Sequence, residues 1–517
     1  MNNQWTVIAS TAALTIALTS AQTPSFQIEE ATIASVHAAM KAKQLTCRQL
    51  VDAYLDRIAR FDKPTLNAIV ITNPDARSQA DALDRQFAAR GLTGPLHCVP
   101  VIVKDNFETI GLQSANGSAS LAGFVSAKDA FQVKRIKAAG AIVIAKSNMA
   151  EFAFSPLETV NSILGTTHNP YSPDRVPAGS SGGTAAAVAS NFGLVGLGSD
   201  TGNSIRGPSS HNALVGIRST MGLTSRAGVI PLSYLADIAG PMTRTVEDAV
   251  AVFQVIVGED PEDPMTARSR GRAVPSYKAS LVRDGLKGTR IGILRQAYER
   301  TPPANNPSAV TVDPDIVKVF ATAIDDLKSA GAEIVDPARV ELPPAAQGGG
   351  CRGFKYDIND YLKTRGARAP VHTLDEIIAS GKFHESIRGR LESSNRGTPQ
   401  GPDSDACKAD AAYRTAFGAA VTKTMDDLKL DAFVYPTWSF PPQLVGQTAQ
   451  GSAGDNSQVY SPRSGFPAIN VPMGFTRGNT LPAGMTMLGR AWSEAALIKL
   501  AYAYEQATRH RRPAPIR

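Results

Sequence analysis

Gly179-Ser180-Ser181-Gly182-Gly183 opens a stretch that runs through alanines to Ala189 and then reads Gly196-Leu197-Gly198-Ser199-Asp200-Thr201-Gly202-Asn203-Ser204-Ile205-Arg206-Gly207-Pro208. It is dense in glycine and serine and poor in charge. Glycine admits positive φ and lets the backbone come close to another group. Consecutive backbone N–H groups in such a loop form a concavity for an anion, or for an oxygen becoming one. A hydroxyl placed there is a nucleophile once a base takes its proton. A flexible linker would share the composition. But Ala185-Ala186-Ala187-Val188-Ala189 reads as a tightly packing helix and Leu194-Val195-Gly196-Leu197 is apolar, and neither suits a linker.

N-terminal to this stretch, Cys98-Val99-Pro100-Val101-Ile102-Val103 ends on Lys104-Asp105-Asn106. A continuous apolar run of this kind predicts a strand buried on both faces. A helix over roughly 129–139 leads into Ala141-Ile142-Val143-Ile144-Ala145-Lys146, a second such strand, and the alternation predicts α/β architecture. Earlier, Thr46-Cys47-Arg48-Gln49 fits a capping box, with Val51, Tyr54, Leu55 and Ile58 following at helical spacing. A second helix starts at Asn73-Pro74 and stops at Gly91.

Beyond the stretch, 245–257 predicts an amphipathic helix, and 258–285, rich in Pro, Arg and Ser, a surface loop. Residues 290–294 and Glu333-Ile334-Val335 read as strands around a helix over 317–330 that Gly331 stops. Residues 431–437 and 466–472 also have strand character. A closing helix over 493–509 has Glu494 near its start and Arg509 near its end, as the helix dipole favours. Residues 340–410 carry Gly348-Gly349-Gly350, many charges and mixed aromatics, and read as an insertion over the core that shapes substrate choice.

Composition excludes several classes. A hydrophobic share of 43% and a charged share of 19% are those of a globular protein. The net charge of +7 is not gathered into a nucleic-acid patch: Arg268, Arg270 and Arg272, and Arg509-His510-Arg511-Arg512, read as solvated surface. Residues 6–21 look like a secretory signal, with an apolar run over 7–18 and small residues Thr19-Ser20-Ala21, although Lys and Arg are missing ahead of it. The expectation is a signal peptide over 1–21 and an exported chain, periplasmic or secreted; without a signal the chain is cytoplasmic. That run is too short to span a bilayer, and no later segment is apolar enough. Cys47, Cys98, Cys351 and Cys407 form no CxxC pair, so nothing supports zinc. In an exported chain a Cys351–Cys407 disulfide and free buried cysteines both stand open. His168 and His211 make no metal spacing and read as ordinary hydrogen-bonded histidines.

Lys104 has two readings. At the end of a buried strand, desolvation lowers its pKa and makes it a neutral base near pH 7. Otherwise it emerges at the surface and pairs with Asp105. The combination of segments decides. Lys104-Asp105-Asn106, the Gly179–Gly183 loop and Asp200-Thr201-Gly202-Asn203-Ser204-Ile205-Arg206-Gly207-Pro208 resemble the amidase signature family. Ala145-Lys146-Ser147-Asn148-Met149-Ala150-Glu151-Phe152 and Gly465-Phe466-Pro467-Ala468-Ile469-Asn470-Val471-Pro472 resemble further segments of it. The likeness runs from about residue 28 to the C-terminus, apart from 340–410.

The resemblance implies an α/β fold: one large domain over 22–517, with a central twisted mixed β-sheet covered by helices on both faces and 340–410 as a variable insertion on the substrate side. It implies a Ser–cisSer–Lys triad, with Ser204 the nucleophile and Ser180 bridging it to Lys104 through a cis peptide in the Gly179-Ser180-Ser181 turn. Backbone N–H groups of Thr201, Gly202, Asn203 and Ser204 would form the oxyanion hole. Ser181, Asp200 and Arg206 would support the site, and Met149 and Gly179 would meet substrate. No metal or organic cofactor is required. Asp200 and Arg206 read as an ion pair that fixes the loop, with solvated surface charges as the alternative. Asn203 stands where the family usually has glycine. Asparagine tolerates φ > 0, and its side chain is expected to narrow or polarise the acyl pocket.

The expected activity is hydrolysis of C–N bonds in small or aryl amides through an acyl-enzyme, with carbamates (urethanes) and esters also plausible. The partner is then a small molecule, and the chain a monomer or homodimer. One rival is a G-x-S-x-G hydrolase with Ser181 as nucleophile and His211, His372, His384 or His510 as base. That elbow needs a strand before it, and Pro170-Tyr171-Ser172-Pro173-Asp174 has no strand character. A P-loop is excluded because no Gly-Lys-Ser/Thr follows. Two further readings are a glutaminase subunit of a tRNA-dependent amidotransferase and a catalytically dead binding protein on the same scaffold.

Overall fold

The apolar run before Lys104 is one of the inner strands of a single mixed sheet. In this computed structural model, residue 1 and residues 26–299, 312–344, 350–447 and 454–516 are described. The 6–21 segment expected to be a secretory signal lies outside them. Among the described residues the sheet has eleven strands. These are β1 (Ile69–Thr72), β2 (Pro100–Lys104), β3 (Ile142–Ser147), β4 (Val195–Asp200), β5 (Val215–Arg218), β6 (Ile238–Thr243), β7 (Arg290–Ile293), β8 (Glu333–Val335), β9 (Ala432–Pro436), β10 (Ala468–Thr476) and β11 (Leu481–Leu488). Their order across the sheet is β1-β3-β2-β4-β6-β5-β10-β11-β9-β7-β8. The pairs β2–β3, β2–β4, β7–β8 and β7–β9 are parallel. The remaining pairs are antiparallel.

Every residue of β2, β3, β4, β5, β6, β9 and β11 is buried, whereas the edge strands β1 and β8 are partly exposed. Strands covered on both faces need no polar alternation. The cover is helical. Helix Gly182–Ala189 packs on β2, β4 and β6, helix Arg206–His211 on β5, β10 and β11, and helix Val246–Ile256 on β5 and β6 beside Glu494–Thr508.

Local signals act as the sequence suggests. Thr46 caps helix Cys47–Phe61 through both bonds of a capping box with Gln49. Thr245 caps Val246–Ile256 by accepting from Asp248 N. The helix expected from Asn73-Pro74 starts slightly later, at Ala76, because the Asn73 side chain first closes a turn by accepting from Asp75 N at 2.9 Å.

Five strands have no counterpart in the sequence reading. β4 reads there as glycine-rich loop, and β1, β5, β6 and β11 carry no strand signal. β4, β6 and β11 contain glycine or proline, and β4 runs Val195-Gly196-Leu197-Gly198-Ser199-Asp200. Glycine weakens a strand in isolation but suits one that other groups approach closely.

Within 340–410, helices Phe354–Lys363, Leu374–Ser380 and Arg388–Asn395 build a second hydrophobic cluster with Phe152, Phe154 and Ile230 of the sheet domain. Tyr361 Oη donates to Glu108 at 2.5 Å, and Arg365 pairs with the same carboxylate. The cysteines form two disulfides, Cys47–Cys98 and Cys351–Cys407.

Candidate active site

Strand β2 delivers Lys104 to its end between the parallel neighbours β3 and β4. The side chain is completely buried. Its Nζ lies 2.7 Å from Ser180 Oγ, 2.9 Å from Ser199 Oγ and 3.4 Å from Ser199 O. Burial pulls the amine down to about 7, against the weaker pull of the Asp237 and Asp200 carboxylates. Lys104 therefore does not emerge to pair with Asp105. That carboxylate is itself buried, accepts from the backbone of Ala115 and Gly117, and faces Lys146. The Gly179–Ser180 peptide is cis.

The turn after β4 rests on a buried ion cluster. Arg206 Nε lies 3.1 Å from Asp200 Oδ2, and Arg218 Nη1 lies 3.0 Å from Asp200 Oδ1. All three side chains are inaccessible to solvent. Burial alone would raise the Asp200 pKa, but the two guanidiniums hold it at about 2. Asp200 Oδ2 also accepts from Ile205 N and Arg206 N. The carboxylate thus closes the chain around residues 201–204. Among the described residues, no backbone N–H from Thr201 to Ser204 donates to another group. Thr201 Oγ1 is drawn aside by Asp237 at 2.5 Å.

Gly202 is required by a close approach, since a Cβ there would meet Gln458 Oε1 at 2.1 Å. Asn203 does not take the positive φ that the sequence reading allowed for. Its amide lies over Gly207, where a Cβ would come within 2.0 Å of Nδ2. Both amide atoms are buried without a hydrogen-bond partner among the described residues. Ser204 is 5% exposed and opens onto a cavity of about 350 Å³ together with Thr201, Gly202, Asn203, Phe154 and Leu232. Its hydroxyl makes no hydrogen bond to Ser180 among the described residues, so this structure brings together the lysine half of the relay only.

Other expected site residues fall elsewhere. Ser181 is buried and donates to Ser199 O at 3.1 Å, which holds the loop to β4. None of the four histidines that a Ser181 elbow would need bonds to it. His211 stacks on Trp438 with ring centroids 4.9 Å apart, and burial lowers its pKa to about 3. His372, His384 and His510 lie against Glu376, Ser386 and Asp326. Met149 and Gly179 are buried and do not line the cavity beside Ser204.

Several contributors were not singled out from sequence. Ser199 meets Lys104 and accepts from Asn106 Nδ2 at 3.0 Å, so a second hydroxyl faces the amine. Arg218, Asp237 and Gln458 reach the turn from other elements. Ser199 and Asn106 lay inside recognised segments, and a buried strand ending on a lysine was the available signal. Arg218 and Gln458 gave none.

A buried amine is thus held against two hydroxyls, beside a turn of unpaired N–H groups, on a helix-covered mixed sheet. Comparison with known proteins adds the family. The amidase family model matches residues 49–498. The structure superposes on the peptide amidase from Stenotrophomonas maltophilia with a TM-score of 0.80 and 36% identity, covering 94% of this chain and 99% of that one. A probable amidase of Arabidopsis thaliana is 34% identical, over 95% of this chain and 92% of its own length. A subunit of the glutamyl-tRNA(Gln) amidotransferase of Synechococcus is 31% identical, over 94% and 93%. The chain belongs to the amidase family, and its fold is that of amidase-signature enzymes, which hydrolyse amides.

Proposed function

We propose that this protein hydrolyses the C–N bond of small or aryl linear amides, with Ser204 as nucleophile and Lys104 as base acting through Ser180. The observation that carries the reading is the 2.7 Å approach of Ser180 Oγ to an amine whose pKa burial has brought to about 7. Neutral Lys104 accepts the Ser180 proton as Ser180 accepts that of Ser204. Ser204 Oγ adds to the carbonyl carbon. The N–H groups of residues 201–204 receive the developing oxyanion, each such donor being typically worth ~2.7–4 kcal/mol of barrier. Ser180 returns a proton to the departing amine, and water releases the acyl group by the same relay. Catalytic hydrogen bonds often tighten only when substrate binds, and the Ser180–Ser204 contact is expected to form in the substrate complex. Esters and carbamates are within reach of the same chemistry.

A panel of p-nitroanilides, p-nitrophenyl esters and p-nitrophenyl carbamates, run on wild type and Ser204→Ala, tests the reading. Turnover should vanish in the variant, and turnover that survives refutes Ser204 as nucleophile. The likeness to the amidotransferase protein favours a second reading, a glutaminase that works with partner subunits. Ammonia released from glutamine by the isolated chain, at rates above those for the anilides, would shift the assignment to it. The two disulfides support an oxidising compartment outside the cytoplasm. Fractionation of producing cells that finds the protein only in the reducing cytoplasm overturns that placement.

A further inference from the structure

Three arginines, Arg390, Arg414 and Arg463, stand in the wall of the cavity beside Ser204, and no aspartate or glutamate shares that wall. Several arginines elsewhere pair with carboxylates, Arg226 with Asp263 at 2.6 Å, Arg477 with Asp315 at 2.6 Å and Arg490 with Asp426 at 2.7 Å, while others, such as Arg175 and Arg244, donate to backbone carbonyls. At the cavity, among the described residues, only Arg414 has a carboxylate partner, Asp410 at 2.6 Å. Arg390 instead donates to Phe154 O and lies 4.4 Å over the Phe154 ring, which fixes its guanidinium at the rim without neutralising it. Arg463 lies 5.9 Å from the Tyr413 ring and has no carboxylate partner among the described residues.

A neighbouring hollow of about 710 Å³ shares Arg414, Pro462 and Arg463 with the cavity wall. Met221, Leu235, Met265 and Phe466 give it apolar walls, and Arg268, again without a carboxylate partner among the described residues, adds a further cation. The hollow too has no acidic side chain in its wall.

We propose that the preferred substrate is an amide with an apolar body that carries a carboxylate, which Arg463 and Arg390 receive while the scissile carbonyl lies at Ser204. This inference rests on the reading of Ser204 given above. Guanidinium groups fork onto carboxylates with directional N–H bonds. Unpaired cations around a concave, partly apolar wall also raise the local concentration of an anionic substrate. The carboxylate belongs to the acyl part or to the amine part, and paired substrates separate the two.

For the acyl part, glutaryl p-nitroanilide is compared with valeryl p-nitroanilide. For the amine part, N-hexanoyl-β-alanine is compared with N-hexanoylbutylamine by amine release. In at least one pair the carboxylate should raise kcat/KM about tenfold or more, mainly through KM. Arg463→Gln and Arg390→Gln should each reduce that ratio about threefold or more, the order expected for rim charges. Raising NaCl from ~20 to ~500 mM should compress the ratio in wild type more than in either variant. Where turnover is slow, calorimetric binding of the same pairs to Ser204→Ala protein reads the same preference.

Equal kcat/KM within both pairs overturns the inference. So does a preference that both arginine variants retain. Loss of turnover in Ser204→Ala together with equal pairs discards the carboxylate and keeps the nucleophile. Turnover that survives Ser204→Ala discards the nucleophile itself.

Discussion

Two lysines lie one residue out of register on adjacent parallel strands, and both are completely buried. Lys146, on β3, aims Nζ at Phe107 O at 2.6 Å, Gln113 O at 3.1 Å and Ser114 Oγ at 2.9 Å. Lys104, on β2, meets two hydroxyls and only a distant carbonyl. Burial lowers both amines, Lys146 to about 8 with Asp105 and Glu108 opposing, Lys104 to about 7. The difference lies in what surrounds the nitrogen. Carbonyl oxygens only accept, so they hold an ammonium in place. Hydroxyls accept or donate, so they serve a charged and a neutral amine alike. Depth of burial does not separate the proposed base from Lys146; the donor capacity of the neighbouring groups does.

The contrast predicts different failures. Lys104→Met removes the proposed base, while Ser199 Oγ keeps the hydrogen bond from Asn106 Nδ2. We expect kcat/KM to fall about 10²–10⁴-fold, with little change in the thermal unfolding midpoint. A variant that keeps wild-type activity would show that another group drives the relay. Lys146→Met takes a donor from Phe107 O, Gln113 O and Ser114 Oγ and the opposing charge from the buried Asp105 carboxylate, and lowers stability by about 2–4 kcal/mol, read from the denaturant midpoint. Activity should follow only the folded fraction. If Lys146→Met instead loses turnover at full stability, the two lysines have exchanged roles.

The smallest effect, per unit of pH, is on the titration of Lys104. In the proposed role Lys104 acts as the neutral amine, so kcat/KM should rise through about pH 7 and be lost below it. Its folded pKa lies below the ordinary 10.5, so between about 7 and 10.5 the unfolded chain holds a proton there that the native state lacks. Stability from this residue therefore rises with pH across that window, by at most about 1.4 kcal/mol per pH unit. Replacing Lys104 with Met should flatten that part of the stability–pH curve. An unchanged slope would mean that the native amine titrates near its ordinary value.

Much of the fold could be read before the structure, for definite reasons. β2, β3, β7, β8, β9 and β10 are apolar runs of strand length. The helices over 47–61 and 246–256 announce themselves by capping threonines, whose signal lies within four residues of chain. β4 did not, because Gly196 and Gly198 look like loop to any local rule. They are strand because the sheet holds them from both sides, and a Cβ on Gly198 would meet Met242 Sδ at 2.7 Å. At the site, Lys104, Ser180, Ser204, Asp200 and Arg206 were legible as motif residues. Arg218 was not, since it reaches Asp200 from a strand two places away in the sheet. Met149 and Gly179 were expected to meet substrate and do not line the cavity, because the loop folds them inward.

Sequence by itself settled the kinds of chemistry available: a lysine ending an apolar strand, serines in a glycine-rich turn, an acid and a base flanking them. Those are local properties of side chain and neighbour. Tertiary structure alone decided which lysine faces hydroxyls, which N–H groups after β4 stay unpaired, and which arginines stand without carboxylates around the opening. Such facts depend on groups far apart in the chain, and the sheet's strand order brings them to hydrogen-bonding distance.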